Sequence, residues 1–281
     1  MSAVTAAHSD RITSEIPEIN ARDLSCAVGG RVILRGIDLT LPPGSRTAIV
    51  GVNGAGKSTL LRTLAGMVPP SRGQVRLDDV DLTSLSAVRR ARQVAFVSQE
   101  EAPPEELRVG ELVGLGRVPH RPPWQGADLQ ERQAILHVLH TVGLSSYVDR
   151  RCHQLSGGEK RRAVLARGLL QNAPILMLDE PTNHLDIAWQ VQLLGILSNY
   201  PGSVVASLHD LDLVLRHFSH VAVVGAGSLL AFGVPTETLT PEVIFQAFGV
   251  AAVQVKHPMT GRPHLLWDRS DQRKDDVSDD Q

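Results

Sequence analysis

The segment GVNGAGKST (51–59) constrains this chain more than any other. It follows an apolar run, RTAIV, and leads into a helical stretch, STLLRTLAG. Strand, glycine loop and helix in that order turn several backbone amides inward around a phosphate. Gly51, Gly54 and Gly56 let the chain curl, and Asn53 and Ala55 complete the same loop. The helix that follows adds the positive end of its dipole. Lys57 brings a mobile positive charge to the outer phosphates, Ser58 places a hydroxyl for Mg²⁺, and Thr59 lies beside it. A glycine-rich turn without a ligand is the plain alternative, and the flanking strand and helix argue against it.

Other apolar runs supply the rest of the sheet. QVAFVSQ (93–99), PILMLDE (174–180) and SVVASLHD (203–210) read as strands, the last two nearly continuous and suited to burial on both faces. Helical stretches separate them, so a mainly parallel sheet with crossover helices is expected. VAVVGAGSLLAFG (221–233) reads as a hairpin, and residues 19–41 as short strands closed by the turn Pro42-Pro43-Gly44. Residues 100–171 read as a helical insertion with a proline-rich surface loop, VPHRPPWQG (118–126). Residues 1–18 read as a flexible arm and residues 268–281 as a disordered charged tail.

Two adjacent carboxylates close the run ILML: Asp179 and Glu180. The carboxyl end of a buried strand is where ligands sit in such sheets. Side chains alternate along a strand, so the two are expected to do different work. Asp179 can hold Mg²⁺, and Glu180 can polarise a water for attack on the γ-phosphate. His209 and Gln99 each end another strand, where they can reach the γ-phosphate, the metal or the water; alone, each is more often structural.

QLSGGEKRRAVLAR (154–167) opens a second helix with Ser156, Gly157 and Gly158, another anion-binding end. One nucleotide does not need two separate cradles, so the second is expected to serve the ATP of another copy in a head-to-tail dimer. Here the sequence resembles the ABC ATPase family. GVNGAGKST is similar to its Walker A motif, LSGGE (155–159) to its signature and ILMLDE to its Walker B; Gln99 falls at the Q-loop, 183–186 at the D-loop and His209 at the switch histidine. The resemblance covers residues 19–267. It implies a P-loop NTPase core of α/β class, with a small antiparallel β subdomain and an inserted helical subdomain. It implies that Lys57, Ser58 and Thr59 bind phosphates and metal, with Asp179 and Gln99 also on the metal side. Glu180 is then the general base, His209 holds the hydrolytic state, and Gln99 links the γ-phosphate to a membrane partner. Ser156, Gly157 and Gly158 clasp the partner copy's ATP, and Asp186 shapes the dimer contact. Arg161 stands where many members have glutamine, and the sequence offers no account of it.

One ATPase domain without a fused span resembles an importer subunit. Residues 107–124, 178–194 and 239–267 are similar to importers of iron complexes (ferric siderophores, haem, cobalamin), with HPMTGRP (257–263) the most particular phrase. The implied partners are multispanning permease subunits and, indirectly, an extracytoplasmic solute-binding protein. The exposed face of the insertion, with Trp124 near it, is the expected docking surface. No run approaches the ~18 apolar residues of a membrane helix, so the expected place is the cytoplasmic face of the membrane, held through the permease. Formal net charge is -2 with 28 basic and 30 acidic residues, which argues against a nucleic-acid partner. The two cysteines suit a reduced setting, and the eleven histidines are scattered without ligand spacing. A soluble ABC ATPase of iron–sulfur cluster assembly is the alternative; copurification with a permease separates the two. The family's adenine-stacking aromatic falls at Val28, which offers apolar contact but no π face. Weak discrimination between ATP and GTP in a nucleotide competition assay is therefore expected; a strong ATP preference would refute it.

Overall fold

Six of the apolar runs lie side by side. The computed structural model describes residues 16–98, 101–121, 128–183 and 185–268. In it β3 (Arg46–Val50), β6 (Val94–Val97), β7 (Ile175–Leu178), β8 (Ser203–Leu208), β9 (His220–Gly225) and β10 (Ser228–Gly233) form one sheet. The order is β10-β9-β3-β8-β7-β6, and every pairing is parallel except the β9–β10 hairpin at one edge. The two-residue period of a strand sends alternate side chains into two cores. Ala48, Val50, Leu176, Leu178, Val204, Ala206 and Leu208 enter one; Ile49, Ile175, Met177 and Val205 enter the other. Burial on both faces explains why these runs carry so little polar interruption.

The first core is covered by α3 (Val109–Gly114), α4 (Leu129–Thr141), α5 (Gly157–Gln171), α6 (Ile187–Ser198) and α7 (Leu211–His217). The second is covered by α1 (Lys57–Leu64) and by an antiparallel sheet, β2-β1-β4-β5, of β1 (Ile19–Val28), β2 (Arg31–Leu41), β4 (Arg72–Leu77) and β5 (Val80–Asp81). Short helices α2 (Ala87–Gln93), α8 (Pro235–Thr238) and α9 (Pro241–Phe248) complete the described α-helices. The chain then forms a separate hairpin, β11 (Ala251–Lys256) and β12 (Pro263–Asp268), around the turn that holds HPMTGR. This hairpin hangs on Asp212 of α7, whose Oδ1 accepts the Leu265 amide at 2.9 Å and lies 2.7 Å from His264 Nδ1.

The structure differs from the sequence reading in several places. Residues 19–41 are two long strands of 10 and 11 residues, not several short ones. A left-handed residue, Asp23 (φ 47°), and shifts of register break the alternation of β1, so one bulged strand reads as pieces. Pro17 is buried and the Glu18 amide donates to Asp78 Oδ1 at 2.9 Å, although both residues read as part of the arm. Asp268 ends β12 rather than opening a tail. Among the described residues no helix is long and apolar enough to cross a membrane.

Where β3 starts, a single guanidinium gathers the chain. Arg46 Nε donates to Leu197 O at 2.9 Å, Nη1 to Gly44 O and Gly202 O at 2.8 and 2.7 Å, and Nη2 to Ser198 O at 3.2 Å and to Tyr200 O. These include carbonyls at the end of α6, which a helix leaves without partners of its own. Arg46→Met keeps the stem and orphans the carbonyls; a stability loss of about 2–4 kcal/mol is expected in urea denaturation. An unchanged midpoint would show that water replaces the guanidinium without cost.

Candidate functional site

The loop 51–56 joins β3 to α1, and its glycines meet distinct demands. A Cβ on Gly51 would lie 2.3 Å from Val224 O, and Gly56 takes φ +97° just before the first helical residue. No side chain caps α1 and no acidic residue stands in its first turn, so the helix end is left to a ligand. Asn53 and Gly54 are exposed, while Ala55, Ser58 and Thr59 are half-buried. Lys57 is folded back on this loop: Nζ donates to Gly51 O at 3.0 Å and Val52 O at 3.2 Å. Burial pulls its pKa below the usual lysine range, and the nearby carboxylates of Glu180 and Asp179 oppose that shift.

Asp179 follows β7, and its amide still donates to Val97 O at 2.9 Å. The residue is 3% exposed. Oδ1 accepts from the hydroxyls of Ser58 and Ser207, both at 2.8 Å, and Arg62 Nη2 stands 3.8 Å from Oδ2. The Ser207 oxygen also accepts the Glu180 amide at 2.7 Å, so one buried hydroxyl ties both carboxylate residues to β8. Glu180 departs in another direction. The cause is a turn rather than the strand pleat expected from sequence: β7 ends at Leu178, and Glu180 takes the left-handed φ of 49°. The Asn183 amide closes that turn on Glu180 O at 3.3 Å, and Asn183 Nδ2 donates to Glu180 Oε2. His209, two residues before α7, brings Nε2 to 2.8 Å from Glu180 Oε1. With the carboxylate ionised, that nitrogen carries the hydrogen.

The structure thus brings the loop 51–59, Asp179, Glu180 and His209 to the carboxyl ends of neighbouring strands. Ser156 instead stays within its own helix: it caps α5 in a reciprocal pair with Glu159, 2.8 Å from Ser156 N to Glu159 Oε2 and 3.4 Å from Glu159 N to Ser156 Oγ. Ser156, Gly157 and Gly158 are exposed, and a Cβ on either glycine would meet nothing within 4 Å. Asp186 caps α6 by accepting the Trp189 amide at 2.8 Å. Val28 is 57% exposed at the tip of the β1–β2 hairpin. Gln99, Trp124 and His184 lie outside the described residues.

The oxygens of Ser58 and Asp179 are a hard, adjacent donor pair, which fits Mg²⁺ held by few protein atoms and by phosphates. Among the described residues no group of three or more His, Cys, Asp or Glu could form an all-protein cage. The sequence reading missed Ser207 altogether; it placed Asn183 only within 183–186 at the D-loop and noted Arg161 only as a departure, giving neither a role beside Glu180. Ser207 is the hydroxyl inside the buried run SVVASL, Asn183 is an unremarkable turn residue, and Arg161 donates from Nη1 to Asn183 O at 2.8 Å. The signals were a hydroxyl placed deep in an apolar strand, the D-loop likeness of 183–186 and the departure at Arg161.

Residues 34–183 match the family model described as ABC transporter. The chain belongs to the ABC transporter family. It is an ATPase domain of that family. It is 33% identical over 259 residues to the ferric enterobactin transport ATP-binding protein FepC of Escherichia coli K12, covering 91% of this chain and 96% of that protein. It is 39% identical over 261 residues to the hemin import ATP-binding protein HmuV of Bordetella pertussis Tohama I, covering 88% and 98%. The iron(3+)-hydroxamate import ATP-binding protein FhuC of Bacillus subtilis 168 is 31% identical over 252 residues, covering 88% and 94%. Among solved structures, an inward-facing metal-chelate type ABC transporter matches with TM-score 0.77 and 23% identity over 90% of this chain and 98% of that one. That likeness establishes the cassette fold.

Ser207→Ala leaves the buried Glu180 amide without its acceptor and Asp179 with one hydroxyl fewer. A stability loss of about 1–3 kcal/mol is expected by denaturation, with ATP turnover falling about tenfold or more as the carboxylates lose their setting. Turnover equal to that of the unaltered chain would remove Ser207 from the site.

Proposed function

We propose that this chain is the ATP-hydrolysing, energy-coupling subunit of an importer for an iron complex, a ferric siderophore or haem. The observation that carries the hydrolytic part is the pair of neighbouring contacts Ser58–Asp179 and Glu180–His209 beside the lysine loop. The cargo class rests on relatives named for ferric enterobactin, hemin and iron(3+)-hydroxamate.

The amides of residues 51–59 and the start of α1 hold the phosphates, and Lys57 turns from the loop carbonyls to the outer phosphate oxygens. Ser58 and Asp179 hold Mg²⁺, which neutralises phosphate charge when bound. Glu180 orients the attacking water and takes its proton, with His209 keeping the carboxylate in place and meeting the γ-phosphate. Gln99 senses that phosphate from the end of the segment after β6. Val28 lies where the base rests.

Ser156, Gly157 and Gly158 receive the ATP of a second copy. Within one chain the two glycines are unexplained: alanine would fit and would favour the helix by about 1 kcal/mol at each position. Close approach of a ligand accounts for them. Asp186 then lies at the seam of a head-to-tail dimer. Dimer closure on ATP and reopening after hydrolysis drive permease subunits, through the helical insertion within residues 100–171. The subunit is held in that way at the cytoplasmic face of the membrane, and the solute-binding protein meets the permease on the other side.

Glu180→Gln is expected to bind ATP normally, accumulate as an ATP-loaded dimer in size-exclusion chromatography and lose nearly all turnover. Ordinary turnover in that variant would end the base assignment. Loss of labelled haem or ferric siderophore uptake in a deletion strain, restored by the unaltered chain and not by the variant, tests the cargo; intact uptake of both would send the cargo assignment elsewhere.

A further inference from the structure

Arg161 is a charged group with an unusual assignment. It is half-buried and lines the cavity between α5, α6 and the end of β7, together with Glu101, Asp179, Glu180, Pro181 and Trp189. Three carboxylates share that cavity, yet among the described residues Arg161 pairs with none of them. Glu101 is taken by Arg167 in a two-pronged contact, with Nη2 to Oε2 at 2.7 Å and Nη1 to Oε1. Arg161 Nη1 instead donates to the carbonyl of Asn183, at 2.8 Å. That carbonyl belongs to the residue whose amide closes the turn on Glu180 and whose side chain donates to Glu180 Oε2. A charge-assisted hydrogen bond to that carbonyl anchors Asn183 on its carboxyl side, and the amide and side chain that meet Glu180 hang on the same Cα.

The helix that carries Arg161 begins at Ser156, five residues earlier, and it grips the core twice more. Arg167 holds Glu101 just after the segment of Gln99, and Gly168 packs so closely on β6 that a Cβ would lie 2.5 Å from Val97 Cγ2. A 15-residue helix is a stiff rod of about 22 Å. A shift at its amino-terminal end therefore reaches Arg161 within two turns.

We propose that Arg161 is a positioning residue for Glu180: through the Asn183 carbonyl it sets the carboxylate, and it makes hydrolysis of the chain's own ATP answer to the ATP clasped at Ser156. This rests on the reading of Glu180 as base and of the Ser156 end as the clasp. Among the described residues no hydrogen bond joins Ser156 to the loop 51–59, and the helix with Arg161 is a described connection from the one towards Glu180.

The test is steady-state ATP hydrolysis by the full-length chain. Arg161→Met, which keeps the stem and removes the donors, is expected to lower kcat about ten- to a hundredfold with KM within about twofold. Arg161→Lys restores a donor and should recover part of kcat. In a cycle with Ser156→Ala, the fold-loss caused by the serine change should shrink at least about fivefold once Arg161 is Met, because the route is already cut. Losses that multiply independently would overturn the coupling. Normal kcat in Arg161→Met, a change confined to KM, or no recovery with Arg161→Lys would overturn the positioning role. Glu180→Gln separates the two levels: a dead Glu180→Gln beside a normal Arg161→Met sinks this proposal alone, whereas an active Glu180→Gln sinks the base reading and the proposal with it. Circular-dichroism melts check folding. If Arg161→Met unfolds, Asn183→Ala takes its place; it leaves Arg161 its acceptor, removes only the amide donor to Glu180, and should show the same kcat loss at constant KM.

Discussion

A carboxylate held almost entirely out of water is the constraint around which this molecule is arranged. Asp179 is 3% exposed, and burial of an ion is costly unless hydrogen bonds meet it. Two hydroxyls do so, one from the helix after the phosphate loop and one from the middle of the sheet. The loop, β7 and β8 must therefore be neighbours in a fixed register. The strand order β3-β8-β7 supplies that: Val50 pairs with Leu208, and Leu178 with Ala206. The sheet is a frame that sets three strand ends within reach of one acid.

Ser207 shows how economical the frame is. Its hydroxyl donates to one acidic residue and accepts from the backbone of the next, so the two acids of the Asp-Glu pair share an anchor yet diverge. The divergence needs a left-handed backbone at Glu180, a conformation that is strained for a residue with a side chain. The turn to Asn183, whose carbonyl Arg161 meets, and the contact with His209 hold it there. Strain of this kind persists only where the surroundings over-determine it.

Much of this was legible in the sequence because its physics is local. The glycine loop needs amides and conformational freedom within nine residues, and RTAIV, ILML and SVVASL are buried on both faces, so their composition alone marks them as strands. The antiparallel sheet was harder. A bulge at Asp23 breaks the alternation of β1, and β4 and β5 are short and flanked by charge. The C-terminal hairpin drew notice only through the phrase in its turn. Within the site, Ser207 is an ordinary residue in linear order, and Asn183 showed only as part of the stretch 183–186 and not as a partner of Glu180. They matter because strand pairing and a turn bring them to particular oxygens, and nothing in their own neighbourhood announces those partners. Arg161 stood out as a departure, but its acceptor is a carbonyl 22 residues away.

The tether at Asp212 joins the last described strands to the start of α7, three residues beyond His209. One oxygen receives the Leu265 amide and lies against the His264 ring. The hairpin is thus moored to the helix that starts two residues after the histidine. A swing of α7 would have to carry the hairpin with it or part these contacts together with that of Arg216 Nη2 on His264 Nδ1, while Gln254 Nε2 keeps the hairpin on Leu239 O.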